Sequence, residues 1–339
     1  MDQSKIILAG AGKSMARAEL GERGWSVINT LEQRKINCIV VDPSQREKVY
    51  LATQTKGVLL SDDAGKTWRG LGLEGIPVKA LAIDPQDPHT LYAGGKPVSL
   101  YVSHDGGQTW TELPALRLAK RWWWFSPADP PGMTPYVSDL TISPTDPKVI
   151  LAGIEAGAVL RSEDGGQSWS KHLKGADRDP HSVKFHSADG RWAYEAGGVR
   201  GPALSQDGGK TWSKPLEGLG PKYGWRVAAD PMQPEIWYLS ASEQPNLLKG
   251  EFAPPGHQDG QARAHIYRKR GDNPWEQLAG GLPEPLDYMA YDLVTVANEP
   301  GGLYAGLANG EVWHSVDYGD TWQCLPFNLG RIGAAMVVI

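Results

Sequence analysis

Several residues in this 339-residue chain have types or spacings that could support chemistry. Glu155, Glu195 and Asp139 offer carboxylates. Two carboxyl groups about 5–9 Å apart, one acid and one base or nucleophile, are what glycoside hydrolysis requires. Gly10-Ala11-Gly12-Lys13-Ser14 looks like the end of a phosphate-cradling loop. That pattern needs a glycine at position 7, where the chain has Ile7, so no nucleotide is expected. Lys13 stays a candidate contact. His181 and His186 are five residues apart on a predicted strand and face opposite sides, which is not a zinc motif. No metal and no cofactor are expected, and no Ser-His-Asp or Cys-His arrangement can be argued. Cys38 and Cys324 read as buried thiols.

Composition narrows the classes. Charged residues make up 22% and the net charge is −5, with no basic excess to suggest a nucleic-acid surface. No stretch approaches a membrane span, and the apolar run after Met1-Asp2-Gln3-Ser4-Lys5 is too short for a signal peptide. A cytoplasmic protein is the expectation. Glycine (41) and proline (26) are spread along the chain, which favours short strands and turns over helices.

The elements that must position these residues are set by an internal repeat. SDDAGKTW (61–68), SHDGGQTW (103–110), SEDGGQSW (162–169), SQDGGKTW (205–212) and SVDYGDTW (315–322) share S-x-D-x-G-x-[TS]-W. Asp63, Asp105, Asp164, Asp207 and Asp317 can accept backbone N–H bonds in the turn, the glycine supplies positive φ, and Trp68, Trp110, Trp169, Trp212 and Trp322 can fill space between units. Upstream of most boxes lies an apolar strand, a Pro-containing turn and an "LYAG"-like strand. Four antiparallel strands every forty-odd residues is the sequence signature of a propeller blade. Trp275 marks a degenerate sixth unit and Trp25 a seventh. The fold expected is an all-β, seven-bladed propeller occupying 1–339. Blade 1 combines 331–339 with 5–30, and blades 2–7 lie within 36–326. Six blades is the alternative.

The boxes resemble the Asp-box, or bacterial neuraminidase repeat, of sialidases, sortilin-type receptors, xyloglucan-degrading glycosidases and photosystem II assembly factors. The resemblance implies the fold and not an activity. Sialidases are six-bladed with an Arg-Ile-Pro sequence that this chain lacks. The xyloglucan enzymes use a cleft between two propellers. The photosystem factor is a single seven-bladed propeller of similar size.

Strand order puts the boxes on one face. The B–C loops and D-to-A connections lie on the other, where propeller ligands usually sit. Two insertions fall on that second face: 117–135, with Trp122, Trp123 and Trp124, and about 243–262. The tryptophans could form a platform for a sugar or an aromatic ligand, or a hydrophobic plug. His181, Trp225, Arg226, Tyr288 and Arg331 are expected there from starts of A strands, with Arg200, Glu155 and Glu195 from B–C loops. The favoured reading is a binding propeller for a glycan-like ligand or a protein. A polysaccharide hydrolase or lyase using Glu155, Glu195 or Asp139 is the alternative, and a structural scaffold the third. The oligomeric state is open.

Overall fold

The structure is a computed structural model, which describes residues 5–119, 124, 134–245 and 254–339. Among these residues the strands form seven antiparallel sheets, each starting from an A strand at the central channel and running outward. Blade 1 is Ile332–Val338, Ile6–Ala11, Ser14–Gly21 and Gly24–Thr30 in that spatial order. The first and last segments of the chain therefore share one sheet, and the Ile6 and Ile339 backbones exchange hydrogen bonds of 3.1 and 2.8 Å. The Trp25 and Trp275 units both belong to four-stranded sheets. In blades 4 and 5 the ladder stops at three strands. The fourth segment is held by Ser170 N–H to the Arg161 carbonyl in one and by a Leu204–Ser213 bridge in the other. No helix among the described residues is long and apolar enough to cross a membrane.

The B strands explain the recurring LYAG. Ile6–Ala11, Val49–Thr53, Leu91–Gly95, Ile150–Ile154 and Leu303–Leu307 are buried at every position. They are the second strand of their sheets and pack against neighbouring blades on both faces. The glycine leaves room for the next blade. A Cβ on Gly94 would lie 2.6 Å from Val137 Cγ1, and one on Gly10 would lie 3.0 Å from Ile36 Cβ. The stretch around Gly10 is thus a B strand, and Gly12-Lys13 makes its two-residue turn into the C strand.

Each box closes a turn in the same way. The Ser61 hydroxyl donates to Asp63 Oδ1 at 2.7 Å and accepts the Gly65 N–H at 2.8 Å. Asp63 Oδ1 accepts the Thr67 N–H at 2.8 Å, and Oδ2 accepts its hydroxyl at 2.6 Å. The same bonds recur at Asp105, Asp164, Asp207 and Asp317. The box glycine has positive φ, and it also abuts the preceding blade: a Cβ on Gly107 would lie 2.4 Å from Leu71 Cδ2. A box N–H also bonds the A–B turn of its own blade, as Gly106 does to the His89 carbonyl at 2.8 Å. The boxes and the A–B turns therefore share a face, and the B–C loops and D–A links lie on the other.

Candidate functional site at the channel mouth

The A strands carry the site. Each of six A strands has a bulge near its start, opposite the end of its B strand. The extra residues are Asn37, Lys79, Ser138, His181, Trp225 and Tyr291, and the shared blade has a wider irregularity opposite Gly10. A bulge re-aims a side chain and bends its strand. Here the repeated bulge places a ring of polar and aromatic groups at the channel mouth. Three of them also tie blades together. Asn37 Nδ2 donates to the Val78 carbonyl at 2.7 Å, and Ser138 Oγ to the Pro180 carbonyl at 2.6 Å. His181 Nδ1 lies 2.7 Å from the Gly224 carbonyl.

Asn37, Lys79, Ser138, His181 and Trp225 line one central cavity of about 360 Å³ together with Tyr136, Asp139, Glu155 and Arg226. Most of the charges in it are already engaged. Asp139 is buried and accepts the Leu140 N–H at 3.0 Å, the Val183 N–H at 3.0 Å and Lys184 Nζ at 2.8 Å. It therefore staples blade 4 to blade 5. Asp292 does the same one blade from the closure, accepting the Leu293 and Met336 N–H groups and pairing with Arg226 at 3.1 Å. Lys79 Nζ stands 5.1 Å from the centre of the Tyr136 ring.

The mouth is richest between blades 4 and 7. Asp179, on the link into blade 5, accepts the Ala156 N–H at 3.1 Å and lies 3.5 Å from His181 Nε2. Burial disfavours the His181 imidazolium. The Asp179 hydrogen bond and the charges of Glu155 and Asp179 outweigh it and hold the group at about 9. Beside His181 stand Trp225 and Tyr223, with ring centres 4.6 and 5.0 Å away. His257 comes from the long B–C insertion of blade 6 and sits between two hydroxyls. Its Nε2 is 2.7 Å from Tyr223 Oη and its Nδ1 3.1 Å from Tyr291 Oη. Burial, helped by the His181 charge, pushes His257 down to about 4, so it is a neutral link between two tyrosines at pH 7.

Several sequence expectations meet at this mouth: Asp139, Glu155, His181, Trp225 and Arg226 line the same cavity. Others do not. Glu195 lies inside the B strand Ala193–Gly197 rather than in a B–C loop, and it is fully buried. Both its oxygens accept the Asp177 N–H, at 2.8 and 3.0 Å, so it is a core carboxyl that ties the D–A link to the sheet. Trp124 is 4% exposed and packs with Leu116, Ile154 and Ala158, so it belongs to the core between blades 3 and 4 and offers no open platform. Trp122 and Trp123 lie outside the described residues. Arg200 is exposed outside the cavity lining, and its backbone N–H caps Asp177. Tyr288 is half-buried against the apolar cluster of blades 6 and 7. Arg331 forms a two-pronged pair with Asp259 at the rim, at 3.0 and 3.2 Å. Lys13 is an exposed turn residue. His186 fills an A–B turn position held by Asp42, Asp84 and Asp230 in other blades, accepting the Ala188 and Asp189 N–H groups.

Sequence reasoning missed Asn37, Lys79, Ser138, Asp179, Tyr223, His257 and Tyr291. A signal for the bulge ring was present. Each bulge residue stands five positions before the first residue past its A strand: Asn37 before Asp42, Lys79 before Asp84, Ser138 before Ser143, His181 before His186, Trp225 before Asp230 and Tyr291 before Val296. Aligning the repeats on that column would have found six of the ring.

Comparison with known proteins supports the architecture. The family model for sortilin, neurotensin receptor 3, matches residues 21–141, and the BNR/Asp-box repeat model matches 203–214. No curated protein matches the chain. Among solved structures, an ancestral GH74 enzyme is similar with a TM-score of 0.63 and 19% identity over 85% of this chain. The GH74 xyloglucanase from Xanthomonas campestris has the same three values. The chain spans only 38% and 45% of those two enzymes. YCF48 bound to D1 peptide is similar with a TM-score of 0.57 and 16% identity, over 89% of this chain and 92% of that one. These identities carry the fold alone. Seven sheets and five boxes of one geometry make the chain a seven-bladed β-propeller of Asp-box repeats, and the BNR/Asp-box repeat model matches one of those boxes.

Proposed function

We propose that this protein is a binding propeller that takes a segment of a partner polypeptide into the mouth of its channel. The observation that carries the reading is the convergence of Lys79, Ser138, His181 and Trp225 with Tyr136 and Glu155 on one cavity. A concave site with an aromatic wall and a few convergent polar groups is the form that a ligand site takes. A peptide is favoured over a sugar by extent. The likeness to the peptide-bound YCF48 runs through nearly the whole of both chains, whereas this chain spans less than half of either GH74 enzyme. A hydrolytic role draws less support, because Asp139 is engaged by three backbone or lysine donors and Glu195 lies in the blade core.

The test is binding of wild type, Trp225→Ala and Lys79→Ala to a peptide array and a glycan array. Circular dichroism confirms that each variant is folded. Peptide binding by wild type and at least a tenfold loss in Trp225→Ala are expected, the usual weight of a central aromatic anchor. Glycan binding alone would overturn the choice of ligand. Peptide binding unchanged in both folded variants would overturn the choice of site.

A further inference from the structure

The geometry points to a divalent metal site at the channel mouth, formed by Glu155, Asp179 and His181. One ligand atom from each lies within 4.8 Å of the other two. The three come from different segments: the B–C loop of blade 4, the D–A link and the bulge of blade 5. Ligand atoms around tetrahedral zinc are roughly 3.4 Å apart, so the side chains must close by about an ångström.

Two further observations favour a metal over a simple ion pair. His181 Nδ1 faces the Gly224 carbonyl at 2.7 Å. In the neutral imidazole that contact holds the proton on Nδ1 and leaves the Nε2 lone pair toward the carboxylates, the arrangement by which a backbone carbonyl orients a metal-bound histidine. The space beside the ligand atoms is kept by a glycine. A Cβ on Gly198 would lie 2.5 Å from Asp179 Oδ2 and 2.7 Å from His181 Cε1. Gly198 has no positive φ, so space and not backbone conformation requires glycine there.

Charge fits as well. Two carboxylates and a neutral imidazole sum to the charge that a divalent cation cancels. A mixed nitrogen and oxygen set suits zinc better than calcium, which takes six or more oxygens. Glu155 and His181 also line the central cavity, with Tyr136 and Ser138. The site stands on this geometry and does not depend on the partner proposed above.

The test is calorimetric titration of the tag-free, EDTA-treated full chain with zinc chloride, and separately with calcium chloride. Saturation at one zinc per chain is expected, with no calcium binding. His181→Ala and Asp179→Asn should each weaken zinc by about 100-fold or more. Gly198→Ala should weaken it too, through the lost space. Asp179→Asn keeps the side-chain volume and serves if His181→Ala does not fold. No uptake at millimolar zinc, equal binding in Asp179→Asn, or calcium binding as tight as zinc would each overturn the proposal.

Discussion

Replacing Glu195 by Gln distinguishes a core carboxyl from a catalytic one. Glu195 is fully buried, and burial, with the Asp177 charge adding and Lys214 opposing, pushes it up to about 8. The unshifted value is 4.5. Between the two, the folded chain keeps its proton while the unfolded chain has lost it. Unfolding then releases a proton, so stability falls as pH rises. The contribution is fully present below the unfolded value and is gone above the folded one. The slope is about 1.4 kcal/mol per pH unit, so this group costs wild type about 4 kcal/mol between about pH 5 and about pH 8. Glutamine keeps the shape and an acceptor for the Asp177 N–H but does not titrate. Urea unfolding followed by tryptophan fluorescence across this range reads the difference, since every other titrating group is shared by the two proteins. The stability gap should move in the variant's favour by about 4 kcal/mol, with ligand binding unchanged. Parallel profiles would refute the burial argument. Loss of binding at unchanged stability would return Glu195 to the functional site.

Two further predictions concern the frame. Ser61→Ala removes a buried hydroxyl that accepts the Gly65 N–H and donates to Asp63; it should cost about 1–3 kcal/mol in denaturant unfolding, since a buried donor is left unpaired. Trp124→Ala should lower stability by about 3–5 kcal/mol by the same measurement, the cost of emptying a large core position. It should also leave the mouth's affinity unchanged in the folded protein, which a sugar-platform role would not.

The sequence by itself determined the architecture. The Ser, Asp, Gly and Trp of each box close a turn with bonds confined to a few residues, so box spacing reports blade spacing directly. The glycines after each LYA-like stretch report the close approach of the next blade's A strand. The tertiary structure decided the site, because its parts are remote in sequence. Asp179, on the link into blade 5, meets Glu155 and Ala156 on the B–C loop of blade 4, and His257 reaches Tyr223 and Tyr291 from an insertion with no repeat to place it. Glu155 and Glu195 look alike in sequence, yet one lines the cavity and the other lies in a sheet. The difference is a few residues of register at the end of a B strand. Period-2 alternation and blade packing turn that small offset into cavity or core, and only the assembled ring fixes which.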